Sequence, residues 1–554
     1  MIRLGIDVGG THTDGVVVEN GRILKFQKVK TRHEDLLASV MEVLELILEG
    51  IPPTEIRQLN LSTTLSTNAL LEGKTEPVGV LVSAGPGIHP RFFRIGDYYE
   101  IIPGSIDHRG IEIVKPDERK LAEALEKFRS DGVRVFAVAG KFSPRNPEHE
   151  HFITERLRPQ ADFITVGHTL SGQLNFPRRI ATAYFNSAVW RIHNRFADAV
   201  LKNLQTFGLK CSVQILKADG GTMPLEISRQ VPVQSILSGP AASIMGILAL
   251  HRISEDALVL DVGGTSTDMA LFAAGTPLLE REGTSLQGNA TLVRSLQTTS
   301  VAVGGDSAIQ IRDGIIQVGP RRAGPAMAGG GIQPTLTDAL NFLGHSQFGT
   351  VSASLEGIRK ISQENSLPPE KLAAEVVRIA VEKIRAAAAA LQEMVNQKPV
   401  YTIHEMLHPH PVVAKKIYIM GGAAQALAPF IESRFRLPVM VSSHASVANA
   451  IGAALTRPTV ELELYADTAR KRLVIPKLSL QQETPPGFNL ESAKDSARQF
   501  LREYVEQNHL QIETGTMEIV EADSFNMVEG FVTTGQNIRV KCQIKPGLAE
   551  TIHE

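Results

Sequence analysis

One octapeptide is written twice in this chain, as Asp7-Val8-Gly9-Gly10-Thr11-His12-Thr13-Asp14 and as Asp261-Val262-Gly263-Gly264-Thr265-Ser266-Thr267-Asp268, with seven of eight positions the same. Apolar residues lead into each copy (Leu4 and Ile6; Val259 and Leu260) and follow it (Val16 to Val18; Ala270 to Phe272). Each copy therefore reads as strand, tight glycine turn, strand. Adjacent glycines allow φ > 0 and leave the turn bare of side chains, so an anion can approach successive N–H donors. The threonines add hydroxyl donors. An aspartate at the end of a buried strand suits a hydrated Mg²⁺, which keeps most of its waters and takes one or two carboxylates. Two such hairpins can grip a polyphosphate from both sides. The bland alternative, two ordinary Gly-Gly turns capped by Thr and Asp, explains one copy more easily than a matched pair.

The 554 residues exceed what one hydrophobic core organises, so two or three domains are expected. A formal charge of −2 gives no general field for nucleic acid or an anionic membrane. The two cysteines, Cys211 and Cys542, lack metal or redox spacing, which points to a reducing cytosol. Met1 runs straight into the first strand, leaving no room for a signal peptide, and no apolar run is long enough to span a bilayer. The expectation is a cytoplasmic protein.

Strands alternate with helices along the chain, which implies an α/β fold with parallel pairing. After the first hairpin, residues 34–48 carry a helical apolar face stopped by Pro52-Pro53. Residues 68–75 come close to a P-loop, but Asn68 replaces its first glycine and Ala-Leu-Leu-Glu follows, so that reading is rejected. Strands are expected at 78–82, 132–140 and 164–166, with a helix over 117–128. A long helix over 177–206, carrying Trp190, is expected to cross from a first domain to a second. Asp219-Gly220-Gly221-Thr222 resembles a third copy of the hairpin, but Pro224 and Glu226 spoil the returning strand, leaving a loop that lines a site.

Ser238 is expected to open a helix of small residues that packs very closely, with 447–455 as its partner. Residues 301–307, with Gly304 and Gly305, and the glycine cluster 319–331 are expected to be flexible loops at a site. Residues 369–394 form a packing helix. Ile417 to Met420 reads as a strand leading through Gly421-Gly422 to a helix, which admits a flat ring against backbone. Beyond Arg457, short strands and a helix over 490–507 make a small C-terminal region.

Phosphate hairpin, small-residue helix, second hairpin, strand-Gly-Gly-helix and closing small-residue helix, in that order, resemble the actin, Hsp70 and sugar kinase superfamily. Within it, Thr67-Asn68-Ala69-Leu70-Leu71-Glu72, Leu237-Ser238-Gly239-Pro240-Ala241 and Gln333-Pro334-Thr335-Leu336-Thr337-Asp338-Ala339 resemble the hydantoinase A / 5-oxoprolinase family, which includes nucleotide-binding subunits of ketone carboxylases. The resemblance spans residues 1–456. It implies two RNase H-like (actin-like ATPase) domains, at 1–172 and 173–456, around a nucleotide cleft, with 457–554 as a small α+β region.

The resemblance further implies ATP and Mg²⁺ as cofactors, with Asp7 and Asp261 as catalytic and metal-holding residues. Gly9, Gly10, Thr11, Thr13, Gly263, Gly264, Thr265 and Thr267 would meet phosphates. Gly304 and Gly305 would line the nucleotide, Gly421 and Gly422 would flank adenine, and the small-residue helices would hinge the cleft. The implied activity is ATP-dependent phosphorylation of a lactam or imide carbonyl oxygen ahead of ring opening, with a B-type subunit as partner. The alternatives are a ketone carboxylase subunit and a reactivase-like ATPase acting on a protein.

Overall fold

The computed structural model describes residues 1–32, 34–280, 282–397, 411–508, 510 and 517–553. Strands Ile2–Val8 and His12–Glu19 pair antiparallel, and Ile56–Thr63 joins Ile2–Val8 in parallel. The second lobe repeats the arrangement, with Ala257–Val262 and Thr267–Ala273 antiparallel and Lys416–Met420 parallel to Ala257–Val262. In both lobes the central strand is almost wholly apolar and inaccessible. Such strands need cover on both faces, which helices supply.

The first sheet runs Thr222–Pro224, Ser212–Leu216, Ile56–Thr63, Ile2–Val8, His12–Glu19, Arg22–Lys30. Helix Leu36–Leu48, capped by Asp35, lays Val40, Val43, Leu44 and Ile47 on one face. A second, all-parallel sheet (Phe163–Val166, Val135–Gly140, Val78–Ser83, Tyr98–Ile102) is inserted after it. Helices Glu118–Ser130 and Glu148–Leu157 cover one of its faces.

The long helix, Phe176–Thr206, does not cross to the second lobe as expected. Its first half, through Ile180 and Phe185, packs on the inserted sheet. Its second half, through Phe196, Val200 and Leu204, packs on the first sheet. The chain it delivers, Ser212–Leu216, then pairs in parallel with Ile56–Thr63. Strands Ser212–Leu216 and Thr222–Pro224 thus extend the first sheet, since a parallel neighbour can come only from a long crossover.

The two stretches expected to be flexible, 301–307 and 319–331, flank a hairpin and are tied down by hydrogen bonds. Ile309–Arg312 and Ile315–Val318 form a hairpin whose Ile309 and Val318 are fully buried. Asp338 knots the glycine-rich segment, accepting from the amides of Met327 (2.9 Å), Ala328 (3.1 Å) and Thr335 (2.9 Å) and from Ser354 Oγ (2.6 Å). Side-chain acceptors supply the order that local propensity does not.

The C-terminal region is a five-stranded antiparallel sheet backed by helix Leu490–Gln507, and its hairpin strands Met517–Glu529 and Val532–Ile544 are long rather than short. Its last residues leave the unit. Ala549 N donates to Leu455 O, Ile552 N to Ala249 O and His553 N to Gly21 O, and Glu550 pairs with Arg3. Residues 549–553 thus strap the C-terminal region to the two small-residue helices and to the first sheet.

Candidate nucleotide site

The two hairpins are the same object in register as well as in sequence. Asp7 stands opposite Asp14 and Val8 opposite Thr13, while Asp261 stands opposite Asp268 and Val262 opposite Thr267. Gly9 N donates to His12 O and Gly263 N to Ser266 O, both at 3.0 Å. None of Gly9, Gly10, Gly263 and Gly264 takes a positive φ, contrary to expectation. What these glycines provide is room. A Cβ on Gly264 would lie 3.2 Å from Thr11 Oγ1 and 2.8 Å from Asp306 Oδ2, whereas one on Gly10 would meet nothing within 4 Å. The turn of one hairpin therefore faces the turn of the other.

The period of two along a strand separates the threonines. Thr11 and Thr265 lie in the turns and reach the open side. Thr13 and Thr267 are fully buried and already committed. Thr13 Oγ1 lies 3.0 Å from Thr31 Oγ1, which donates to Gly9 O at 2.9 Å. Thr267 Oγ1 donates to Val303 O at 2.7 Å. In this structure the hydroxyls of Thr13 and Thr267 pin the turn from behind rather than facing the open side.

Gly305 N donates to Gly263 O (2.9 Å), Asp306 N to Gly264 O (2.7 Å), and Gly304 N to Ser307 Oγ (2.9 Å). With their amides used, Gly304 and Gly305 brace the second turn by close approach. Asp306 is held in turn by Arg322, 3.0 Å away. At the end of Lys416–Met420, Gly421 has φ +97°, and a Cβ there would crowd Val262 and come 2.9 Å from Asp261 Oδ1. Only glycine fits that turn. A Cβ on Gly422 would meet nothing within 4 Å, so its face is open.

Carboxylates crowd the floor. Burial pushes Asp7 up to about 7, with Asp14 and Asp261 adding to the rise and Ser62 and Asn449 opposing it. Burial also raises Asp261 and Asp14, and it takes Asp268 to about 6 with Asp261 beside it. Ser243 Oγ donates to Asp261 Oδ2 at 2.6 Å and Asn449 Nδ2 to the same oxygen at 3.4 Å. Lys28 Nζ binds Asp14 Oδ2 at 2.8 Å. Asn449 faces an aspartate from each lobe and escaped sequence reading, as did Ser243, Lys28 and Arg322. A small-residue helix signalled only packing, although the one polar residue near its start, Asn449, was the clue.

Asp7 Oδ1 is buried and accepts no hydrogen bond among the described residues. A buried carboxylate oxygen without a partner is costly unless a cation balances it. Among the described residues no group of three His, Cys, Asp or Glu side chains is arranged around a metal position. The set suits an ion that keeps its waters and takes one or two carboxylates.

Residues 3–160 match the hydantoinase/oxoprolinase N-terminal region and residues 179–462 match the hydantoinase/oxoprolinase domain. The chain belongs to the hydantoinase/oxoprolinase family. Among its members, the caprolactamase subunit alpha of Pseudomonas jessenii is 28% identical over 68% of this chain and 61% of that protein. The acetophenone carboxylase gamma subunit of Aromatoleum aromaticum is 26% identical over 76% of this chain and 63% of that one. The 5-oxoprolinase of Saccharomyces cerevisiae is 25% identical over 62% of this chain and 32% of its own length. The chain thus spans under two thirds of these three relatives.

Two solved structures share the fold across nearly the whole chain. They are a nucleotide-free acetone carboxylase (TM-score 0.70, 15% identity, 100% of this chain and 88% of that one) and the ATP-dependent caprolactamase of Pseudomonas jessenii (0.70, 20%, 98% and 87%). The two α/β lobes are thus the fold shared with these two structures. No described helix is long and apolar enough to cross a membrane.

Proposed function

We propose that this family member is an ATP-dependent cyclic amide hydrolase, acting as the A-type subunit of an enzyme completed by a B-type partner. The observation that carries the reading is the pair of hairpin turns face to face, with Asp7 and Asp261 beneath them and Asn449 beside both. An amide carbonyl is a poor electrophile. When bound, ATP supplies the phosphoryl group that activates the lactam oxygen and so prepares the ring carbon for water.

The chain's own residues would do the rest by positioning and charge. The amides of Gly10 and Gly264 and the hydroxyls of Thr11 and Thr265 would hold phosphate oxygens. Asp7, whose orphaned Oδ1 is the best-fitted ligand, would hold Mg²⁺. Asp261, oriented by Ser243 and Asn449, would hold metal or align the attacking oxygen. Gly421 and Gly422 would flank adenine, and the lobes would close about the small-residue helices.

The relatives named as alpha and gamma subunits support a partner subunit. The free thiols Cys211 and Cys542 support a reducing, cytoplasmic setting. The fold shared with acetone carboxylase and the similarity to the acetophenone carboxylase subunit favour one other reading, phosphorylation of a ketone enol or bicarbonate.

The test is ATP turnover by the chain with its partner, against lactams and, separately, against ketones with bicarbonate. Lactam-stimulated turnover is expected, and Asp7→Ala and Asp261→Ala should each lower it by about a hundredfold or more with little change in melting midpoint. Near-normal turnover in either variant would falsify the assignment, and turnover that requires bicarbonate and a ketone would select the other reading.

A further inference from the structure

A cavity of about 360 Å³ lies away from both hairpins. Its walls are the Leu170–Gln173 turn, the Lys217–Asp219 loop, the 279–294 segment and one face of the C-terminal sheet. Strand Val460–Asp467 explains that face. Leu462, Leu464 and Ala466 point to helix Leu490–Gln507, so Glu461, Glu463 and Tyr465 point the other way. The neighbouring strand repeats the division, with Val540, Cys542 and Ile544 packed in the core and Lys541 and Gln543 set opposite Glu463 and Glu461. The Asp219-Gly220-Gly221-Thr222 loop supplies Asp219 to the wall of this cavity.

Most charges here are already matched. Asp219 pairs with Lys217 at 3.2 Å, and Glu461 with Lys541 at 2.8 Å and Arg294 at 3.2 Å. Glu282 pairs with Arg178 at 2.8 Å and Glu521 with Arg539 at 3.3 Å. Two groups of opposite sign are only partly matched. Glu463 is 5% exposed; its Oε2 accepts from the Tyr465 hydroxyl at 3.1 Å, but its Oε1 accepts no hydrogen bond among the described residues, and the ion-pair contact of that oxygen with Arg539 spans 3.7 Å. Lys477 has no carboxylate within ion-pairing distance among the described residues and lies over the ring of Tyr504 at 5.6 Å. Burial raises the Glu463 carboxyl, with Glu461 adding to the rise, and lowers the Lys477 ammonium against the opposing pull of Glu461, Asp219 and Glu463.

We propose that this cavity binds a small zwitterionic amino acid, its ammonium against Glu463 and its carboxylate against Lys477. A volume of this size holds a small ligand, and fixed charges of both signs in a partly dry pocket select a molecule that carries both. The assignment rests on the lactam-opening reading only in that ring opening generates an amino acid, so the ligand class is the product class.

The test is titration of the full chain with 6-aminohexanoate, 4-aminobutanoate and glutamate, with hexanoate and hexylamine as one-charged controls, read by calorimetry and by thermal shift. At least one amino acid should bind at millimolar concentration or below, and the matching one-charged compounds about tenfold or more weaker. Lys477→Met and Glu463→Gln should each weaken binding by about tenfold while Mg-nucleotide affinity stays as it was. If either fails to fold, Val520→Trp at the exposed rim narrows the same cavity without removing a buried charge and should weaken binding too.

No amino acid bound at millimolar concentration, equal binding of hexanoate or hexylamine, binding unchanged in the variants, or displacement by Mg-nucleotide would each overturn the assignment. Amino-acid binding without lactam-stimulated ATP turnover would sink the functional reading alone. Turnover without such binding would sink this one alone.

Discussion

Asp7 and Asp261 are the same residue of the same turn, yet their surroundings differ. Asp261 receives a short hydrogen bond from Ser243, whereas Asp7 keeps one oxygen bare. That asymmetry makes Asp7, rather than Asp261, the better-fitted carboxylate for the proposed cation. A second buried group makes a pH-dependent contribution that can be isolated. His193, fully buried in the long helix with Nε2 2.8 Å from Ser228 Oγ, is depressed to about 4 by burial, with Arg229 adding to the effect. Its folded form resists a proton that the unfolded chain accepts near the ordinary histidine value. The neutral ring therefore adds stability relative to acid conditions that is present above about pH 6.5 and lost as pH falls toward 4, on the order of 3 kcal/mol. Melting midpoints measured across that window should fall less steeply in His193→Gln than in the parent. Parallel slopes would show that His193 is not the group responsible.

Helices Ser238–Leu250 and Ala448–Leu455 meet backbone to backbone. A Cβ on Gly246 would run into the carbonyl of Ala448, and one on Gly452 into Ala242 and the amide of Gly246. The close-packing pair read from small residues is therefore real. The N-cap is not Ser238 but Leu237, held at φ 64°, and Ser238 Oγ instead donates to Thr63 O at 3.0 Å, tying the helix to the first sheet. The same closing helix lies so near strand Ile2–Val8 that a Cβ on Gly5 would collide with Ala450 and come 2.6 Å from Ala454 N. Gly246→Ala should cost about 1–3 kcal/mol, because backbone on the far side cannot yield cheaply. Gly422→Ala, with nothing within 4 Å, should leave the melting midpoint in place and weaken nucleotide binding about tenfold. Calorimetric scans with nucleotide titrations check both, and a stable Gly246→Ala would argue that the helices can separate.

Across the whole molecule, the lobes, the inserted sheet and the C-terminal unit are joined by segments that return over long sequence distances. Leu548 and Ile552 pack against Ala249, Val447 and Leu455, and Glu550 reaches Arg3. Removing residues 546–554 should cost on the order of 2 kcal/mol through that exposed apolar surface and lower the midpoint by a few degrees. An unchanged midpoint would mean the strap adds nothing. The hairpins, the helices over 36–48, 369–396 and 490–507, the rejection of a P-loop at what is helix Leu65–Leu71, and the α/β class were all legible, because each follows from local periodicity or a turn composition. The hairpin over 309–318, the reach of the first sheet to residue 224 and the cavity around Glu463 and Lys477 were not, because they depend on which distant partners meet. Residue order alone decided that two Asp-Val-Gly-Gly-Thr turns exist and that their strands are buried. Only the tertiary packing decided that the turns face each other, that Thr13 and Thr267 look inward, and that Asn449 lies beside both aspartates, since those are contacts between segments that no local pattern records.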